Sequence, residues 1–437
     1  MTRVLVVGGG WSGLAAAVEL CRHQIDVTLI EAAGRLGGRA ARIRHGGREY
    51  DSGQHLVIGA YHGILGLLAT MGIPEDTVFQ RRPFELLSLS AVPSPLLRLR
   101  LAALPAPFHL LGGLCSAEGL SRADKWGALG FCLAAARSKD LREDYSVQEL
   151  MYRHGQSPQA VSRLWEPICL AALNTPLHEA SAEVFLRVLR DAFAYDRRDS
   201  DLLLPRRGLA DTFPEPARGF IETRGGRILL NSRATGLEVS RGRFAGVVLA
   251  DGTRLEADHV ILALPPPACL HLIDGCAPLH LLARRLAGFE YSPICTVYLH
   301  YPAAVRLDSP MIGLHGMLAQ WAFDLGVSGE PGLIAAVISG PGEHMELERG
   351  VLQQRVAAEF AACFPHWPAP EEIFTLCEKR ATFLSRQGIN TLRPGVDTPV
   401  EACWLAGDAV ATGYPSTLEG AVRSGLECAR RILRESA

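Results

Sequence analysis

The first forty residues restrict the fold more than any other part of the chain. Arg3-Val4-Leu5-Val6-Val7 is an apolar run too short for anything but a buried strand. Gly8-Gly9-Gly10-Trp11-Ser12-Gly13 follows at once, then a helical stretch Leu14–Leu20, then a second strand Val27–Ile30 that ends at Glu31. Strand, glycine turn, helix, strand and acid, in that order, make a dinucleotide-binding unit. Gly8, Gly10 and Gly13 fall on the G-x-G-x-x-G positions, with Trp11 and Ser12 completing the loop. The first glycine permits the tight turn, the second lets backbone approach a pyrophosphate, and the third lets helix pack on strand. The phosphates belong at the helix N-terminus, where unpaired N–H groups and the helix dipole favour anions. Glu31 is placed to accept hydrogen bonds from both ribose hydroxyls, which disfavours a 2′-phosphorylated ribose.

With 437 residues the chain is too long for one core, so two or more domains are expected. Hydrophobic residues at 48% and charged residues at 21% describe a globular protein. A net charge of −2 without a long basic stripe gives nucleic acid no purchase. Eleven cysteines are dispersed, with no C-x-x-C and no histidine at metal spacing. Reduced thiols in the cytoplasm are expected, and no metal. The strand starting at Arg3 leaves no room for a signal peptide, and no run of ~20 apolar residues is present to span a bilayer.

A second glycine pair follows Glu31 in Ala32-Ala33-Gly34-Arg35-Leu36-Gly37-Gly38-Arg39. Adjacent glycines beside Arg35 and Arg39 suit close approach to phosphate, with arginine as counter-charge. The fingerprint followed by E-A-x-x-x-x-G-G-R resembles the FAD-dependent amine oxidase and phytoene desaturase superfamily. The far end of the chain agrees. Trp404-Leu405-Ala406-Gly407-Asp408 reads as a strand ending in Gly-Asp, and Pro415-Ser416-Thr417-Leu418-Glu419-Gly420-Ala421 as the start of a helix. The resemblance implies that Gly407 and Asp408 meet the ribityl chain or pyrophosphate. It also implies that the helix end at Thr417 and Leu418 faces the flavin pyrimidine ring, where its dipole stabilises negative charge. No cysteine opens that segment, so FAD is expected to bind non-covalently. Gly226–Leu237 resembles the family strand that meets adenine, with Ala234 in place of the usual valine. Phe244–Leu249 and the turn at Asp251-Gly252 read as a hairpin.

The implied fold is α/β: a discontinuous Rossmann-type FAD-binding domain over 1–85, 205–265 and 395–437. An inserted α+β substrate domain over 86–204 and 266–394 completes an architecture like that of amine oxidases and GDP-dissociation inhibitors.

A narrower likeness lies in Tyr50-Asp51-Ser52-Gly53-Gln54-His55-Leu56-Val57-Ile58-Gly59-Ala60-Tyr61. This stretch is similar to the D-x-G-Q-H-x-x-x-G-A-Y motif of hydroxysqualene dehydroxylases, the squalene-associated FAD enzymes of bacterial hopanoid pathways. Leu164-Trp165-Glu166-Pro167 through Leu173-Asn174-Thr175-Pro176, the Gln320-Trp321-Ala322-Phe323-Asp324 segment and Lys379–Phe383 agree with it. Leu325 stands where that family is expected to carry an arginine, which weakens any anion-contact role.

The likeness implies reductive removal of an allylic hydroxyl as water, with hydroxysqualene as substrate and squalene as product. Gly53, Gln54 and His55 are then expected beside the flavin, with His55 the first choice as proton donor because it titrates near neutrality. Asp324 and Glu166 are rivals if burial raises their pKa values, and Gln54 completes the catalytic set. Trp321, Phe323 and Tyr414 offer π-faces to a cationic allylic centre, and Leu173 joins them as a substrate contact. Each has a structural alternative: cofactor hydrogen bonding for Gln54 and His55, a turn cap for Asp324, a helix start for Glu166, a strand wall for Trp321 and Phe323.

The leucine-rich stretch 86–135, broken at Pro93, Pro95, Pro105 and Pro107, is expected to form a helical cap. On the family likeness this cap rests against a membrane, placing the protein peripherally on the inner face. Electrons are expected from an external donor, because no second nucleotide fingerprint is present. The likeness leaves room for contact with the upstream condensing enzymes, for which no residue speaks. A carotenoid-type desaturase, an amine oxidase using Lys379, and a non-catalytic prenyl-lipid carrier of the GDP-dissociation-inhibitor type are the competing readings.

Overall fold

The computed structural model describes residues 2–90, 95–137 and 141–436; Pro93 lies outside them. Five strands form one parallel sheet in the spatial order Arg227–Leu229, Asp26–Ile30, Arg3–Val7, His259–Leu262, Cys403–Leu405. The apolar run that opens the chain takes the central position, and strands covered on both faces read as continuous hydrophobic segments. Chain order runs outward on one side of the first strand, then switches to the other side. Ligands of open α/β sheets bind at such a switch, outside the carboxyl ends of the strands. The C-terminal helix Leu418–Glu435 lies directly on the first helix Trp11–Arg22, because a Cβ on Gly425 would overlap the Ser12 carbonyl. The chain has the α/β fold of FAD-binding proteins.

The stretch 226–237, expected as one strand, is two. Asn231 adopts a left-handed φ of 53° and turns the chain. Arg227–Leu229 stays in the parallel sheet, while Ala234–Ser240 enters a separate antiparallel sheet with Arg243–Leu249 and Arg254–Leu255, which include the expected hairpin.

A seven-stranded sheet carries the other half of the molecule, in the order Glu372–Phe383, Tyr291–His300, Leu333–Ser339, Trp321–Asp324, Met311–His315, Glu85–Ser90, Pro95–Arg100. Its pairs are antiparallel except the Met311–His315 and Glu85–Ser90 pair. The start of the leucine-rich stretch is therefore sheet, which corrects the expected helical cap. Leu97 and Leu99 are buried while Arg98 and Arg100 turn outward to Glu85, a period of two that fits a strand and no helix. The helical part begins later, at Phe108–Ser116 and Arg122–Arg137.

A second correction concerns the thiols. Cys295 and Cys377 face each other on adjacent strands, with Cα atoms 4.1 Å apart, and form a disulfide. Their separation of 82 residues in sequence hid the pairing, which only the sheet register creates. Leu325 packs against an apolar cluster that includes Tyr50, Tyr298 and Phe374 and makes no anion site. Among the described residues no helix is long and apolar enough to cross a membrane.

Candidate active site

The glycine loop is built around an open space. Gly8 has a φ of 114° and lies so close to the Ala263 carbonyl that a Cβ would overlap it. A Cβ on Gly13 would overlap the Gly8 carbonyl oxygen. Gly10 differs: a Cβ there would meet nothing nearer than the Gly38 Cα, 4.0 Å away. The first helix begins at this point with no side-chain cap and no acid in its first turn. An uncapped N-terminus of a long helix, facing free space, fits a bound phosphate. Trp11 and Ser12 are buried behind the loop, Trp11 with its ring 4.9 Å from that of Phe213.

Glu31 sits at the rim. Its Oε2 accepts from the Gly9 N–H at 2.7 Å and its Oε1 from the Ala33 N–H at 2.8 Å, leaving one lone pair on each oxygen toward a ribose. The chain leading to Ala234 runs alongside, held by Ser232 N–H to the Glu31 carbonyl at 2.9 Å and Asn231 N–H to the Ala33 carbonyl at 3.1 Å. Gly37 donates to the Gly9 carbonyl at 2.9 Å, so the second glycine pair folds over the first loop. Gly38 and Arg35 are exposed.

Arg39 joins the two ends of the chain. It forms an ion pair with Asp408, whose side chain is 7% exposed, and donates to the Ala381 carbonyl at 2.9 Å. Burial alone would raise the Asp408 carboxyl, but Arg39, followed by a hydrogen bond from Ser416, brings it below the ordinary carboxylate range. Arg393 braces the same loop through the carbonyls of Asp408, Val410 and Tyr414. Gly407 is anchored by its N–H to Ser424 Oγ at 2.8 Å. Thr417 caps the C-terminal helix, accepting from the Gly420 N–H at 3.1 Å, and Leu418 is its first residue.

Ala381 can serve Arg39 because its strand bulges. Pairing between the Tyr291 and Glu372 strands jumps from Ser292–Thr382 to Ile294–Glu378, which frees Lys379, Arg380 and Ala381 from the ladder. Asn174 locks the bulge, donating to Thr382 Oγ1 at 3.0 Å and accepting from the Gly340 N–H at 2.8 Å. Lys379 is exposed on the bulge, which removes the lysine an amine oxidase reading needed.

The Asp51–Tyr61 segment carries the candidate chemistry. Tyr298, fully buried, donates its hydroxyl to the Asp51 carbonyl at 2.9 Å and accepts from Gln54 Nε2 at 3.2 Å. Gln54 is thereby fixed, and among the described residues none donates to its amide oxygen. His55 Nδ1 lies 3.1 Å from the Gly53 carbonyl. Burial pushes the imidazole down to about 4; the Gly53 carbonyl opposes this in part and the charge of Arg39 adds to it. This corrects the expectation that His55 titrates near neutrality. Burial, with Glu419 nearby, pushes the Tyr61 phenol up, and it hydrogen-bonds Thr417. His55, Tyr61 and Arg39 are each partly exposed.

The His55 shift has a measurable consequence. Between pH 6.5 and about 4 the unfolded chain takes up a proton at this residue and the folded chain does not, so stability is full above the window and falls as pH drops through it. Urea midpoints for His55→Gln should show a shallower acid slope than the parent. An unchanged slope contradicts the assignment.

Other candidates are engaged elsewhere. Asp324 is buried, with Oδ1 accepting from the Gly326 N–H at 2.8 Å and Oδ2 from the Leu307 N–H at 3.0 Å, so it serves as a turn cap rather than an acid. Tyr414 donates to Asp191, and the guanidiniums of Arg423 and Arg187 lie 4.2 and 5.4 Å from its ring centroid, which occupies the face expected for substrate. Glu166 opens the helix Glu166–Leu173 and is exposed; Leu173 closes it and is buried. Trp321 is buried and Phe323 partly so on one strand face. Tyr61, Tyr298, Ser416 and Arg393 were given no role by the sequence reading; Tyr61 and Ser416 stood in quoted segments, and Tyr298 and Arg393 carry no local signal.

An apolar pocket opens among Phe84, Leu99, Leu110, Leu114, Trp165, Ile168, Leu189 and Phe193, with Arg190 the one charged lining residue among those described. Beside it Phe108, Leu104 and Leu133 are exposed at 59, 45 and 39%.

Comparison with known proteins agrees with this geometry. Over 444 residues the chain is 28% identical to the hydroxysqualene dehydroxylase of Rhodopseudomonas palustris, covering 98% of both. It is 23% identical over 458 residues to the 15-cis-phytoene desaturase of Solanum lycopersicum, covering 99% of this chain and 78% of that one. The cyclohexylamine oxidase of Brevibacterium oxydans superposes with a TM-score of 0.70 at 18% identity, covering 100% of this chain and 99% of that one, a likeness of fold. The model of the flavin-containing amine oxidoreductases matches residues 11–433. A family match over nearly the whole length settles the lineage: the chain belongs to the flavin-containing amine oxidoreductase family.

Proposed function

We propose that this oxidoreductase removes the allylic hydroxyl of hydroxysqualene to give squalene. The end-to-end likeness to hydroxysqualene dehydroxylase carries this reading, together with a Gln54-His55 segment pinned by the Tyr298 hydroxyl and the Gly53 carbonyl. The C–O bond breaks, a C–H bond forms, and the hydroxyl takes a proton and leaves as water. Bound in reduced form, FAD supplies the hydride.

The residues divide the remaining work. Gly8, Gly10, Gly13, Gly37 and Gly38 give room to the pyrophosphate, with Trp11 and Ser12 behind them. Glu31 holds the ribose, Ala234 borders adenine, and Arg35 and Arg39 bring positive charge. Gly407 and Asp408 meet the ribityl side, while Thr417 and Leu418 border the flavin ring with Gly53. Gln54, held by Tyr298, orients the substrate hydroxyl through its amide oxygen. His55, neutral, donates or accepts a hydrogen bond without adding charge beside an apolar chain. Glu166 remains an exposed acid at the pocket helix, and Trp321, Phe323 and Leu173 are wall residues. Orientation is the main contribution of such groups.

The apolar pocket takes part of the isoprenoid chain. Its exposed rim rests on the inner face of a membrane, since a thirty-carbon hydrocarbon partitions out of water. Phe108→Asp should lower cosedimentation with phosphatidylcholine vesicles several-fold and leave FAD content unchanged; equal cosedimentation contradicts the contact. An external donor reduces the flavin.

Anaerobic incubation of dithionite-reduced protein with hydroxysqualene tests the reading. Squalene and the returning oxidised flavin spectrum are expected. Oxidised protein that desaturates phytoene in the presence of an electron acceptor, without acting on hydroxysqualene, replaces it with the desaturase reading favoured by the tomato relative.

A further inference from the structure

The start of the C-terminal helix is not the plain positive helix end that its position suggests. Glu419 is its second residue, and the side chain is 0% exposed. Its Oε1 accepts from the Gly63 N–H at 2.8 Å and its Oε2 from the Ile64 N–H at 3.1 Å, at the start of the helix His62–Thr70. Arg423, one turn on, donates to the same carboxylate at 2.6 Å. A full negative charge thus sits inside a helix end whose dipole contributes about half a positive charge. It is held there by two N–H groups two and three residues after Tyr61, and its counter-ion Arg423 is a third exposed and stacked over Tyr414.

We propose that the buried Glu419–Arg423 pair sets the reduction potential of the FAD whose ring lies at this helix end. Both are positioning residues: they act through the field at the helix start and through the Tyr61 backbone, and neither needs to touch substrate. This rests on the FAD reading above. The reduced flavin carries more negative charge than the oxidised form. A carboxylate at the helix start therefore opposes the dipole and makes the reduced form a stronger hydride donor, while the guanidinium works the other way. In a low-dielectric interior such a charge acts with little screening, whereas the partly exposed guanidinium is damped by solvent.

Signs make the test decisive. Glu419→Gln keeps the shape and one acceptor and removes the charge; Arg423→Gln removes the opposite charge. Potentials are measured on FAD-loaded protein by dye-equilibrated dithionite titration, without turnover. Glu419→Gln should move the midpoint upward by about tenfold in the reduction equilibrium, ~30 mV for a two-electron couple. Arg423→Gln should move it downward by less. Shifts in the same direction, or none, overturn the proposal, because mere loosening of the helix end has no sign. If Glu419→Gln does not fold, the downward shift in Arg423→Gln decides alone. Failure of the parent chain to bind FAD is a different result and sinks the FAD reading itself.

Discussion

Gly10→Ala should abolish FAD binding and leave the apoprotein as stable as its parent. The added methyl meets only the Gly38 Cα at 4.0 Å, so nothing in the protein resists it. It enters the space above the uncapped helix where the pyrophosphate belongs. Gly13→Ala makes the contrast. Its Cβ would overlap the Gly8 carbonyl and press on Ala263 at 3.2 Å, forcing helix from strand. Overpacking of this kind costs about 1–3 kcal/mol, so stability and binding should fall together. Thermal midpoints of the apoproteins, beside flavin fluorescence titrations, separate the two cases. Parental FAD affinity in Gly10→Ala removes the pyrophosphate from the glycine loop.

Arg39→Met carries the second large effect. Removing the guanidinium strands Asp408, which is buried and keeps only Ser416 as a side-chain hydrogen-bond partner. Breaking a buried pair from one side costs about 3 kcal/mol, less here because Arg39 is 33% exposed. The Ala381 carbonyl loses its donor as well. A steep drop in melting temperature and at least a hundredfold weaker FAD binding are expected. The double variant Arg39→Met with Asp408→Asn should recover most of the stability, because the uncompensated charge is gone, and none of the FAD affinity. Recovery of both would make the pair a brace for the loop and nothing more.

The cofactor half of the molecule was legible because its signals are local. Arg3 to Glu31 is a contiguous strand–turn–helix–strand, and each glycine has a steric reason within a few residues or at the adjoining strand. The catalytic half was not. The Asp324 cap on Gly326 is local and was among the readings, but Asp324 and Tyr414 also have the chemistry of an acid and an aromatic wall, and their other partners are Leu307, Asp191 and Arg423. Only the folded chain brings those together. The Cys295–Cys377 bond and the Arg39–Ala381 contact depend on sheet register and a bulge, neither of which leaves a pattern in the residues. The leucine-rich strand was legible in principle: Leu97-Arg98-Leu99-Arg100 alternates, but neighbouring prolines and leucines masked the period.

The parallel sheet has one more consequence, for synthesis. Its central strand leaves the ribosome first and its last edge strand, Cys403–Leu405, near the end. At about 5–20 residues per second the opening strand waits roughly 20 to 80 s before that edge completes the sheet. A nascent chain therefore holds an unfinished, greasy platform through most of its translation, and shields it before the flavin has anywhere to dock. The Arg39–Asp408 bridge cannot close until the Cys403–Leu405 strand and the residues just after it have been made.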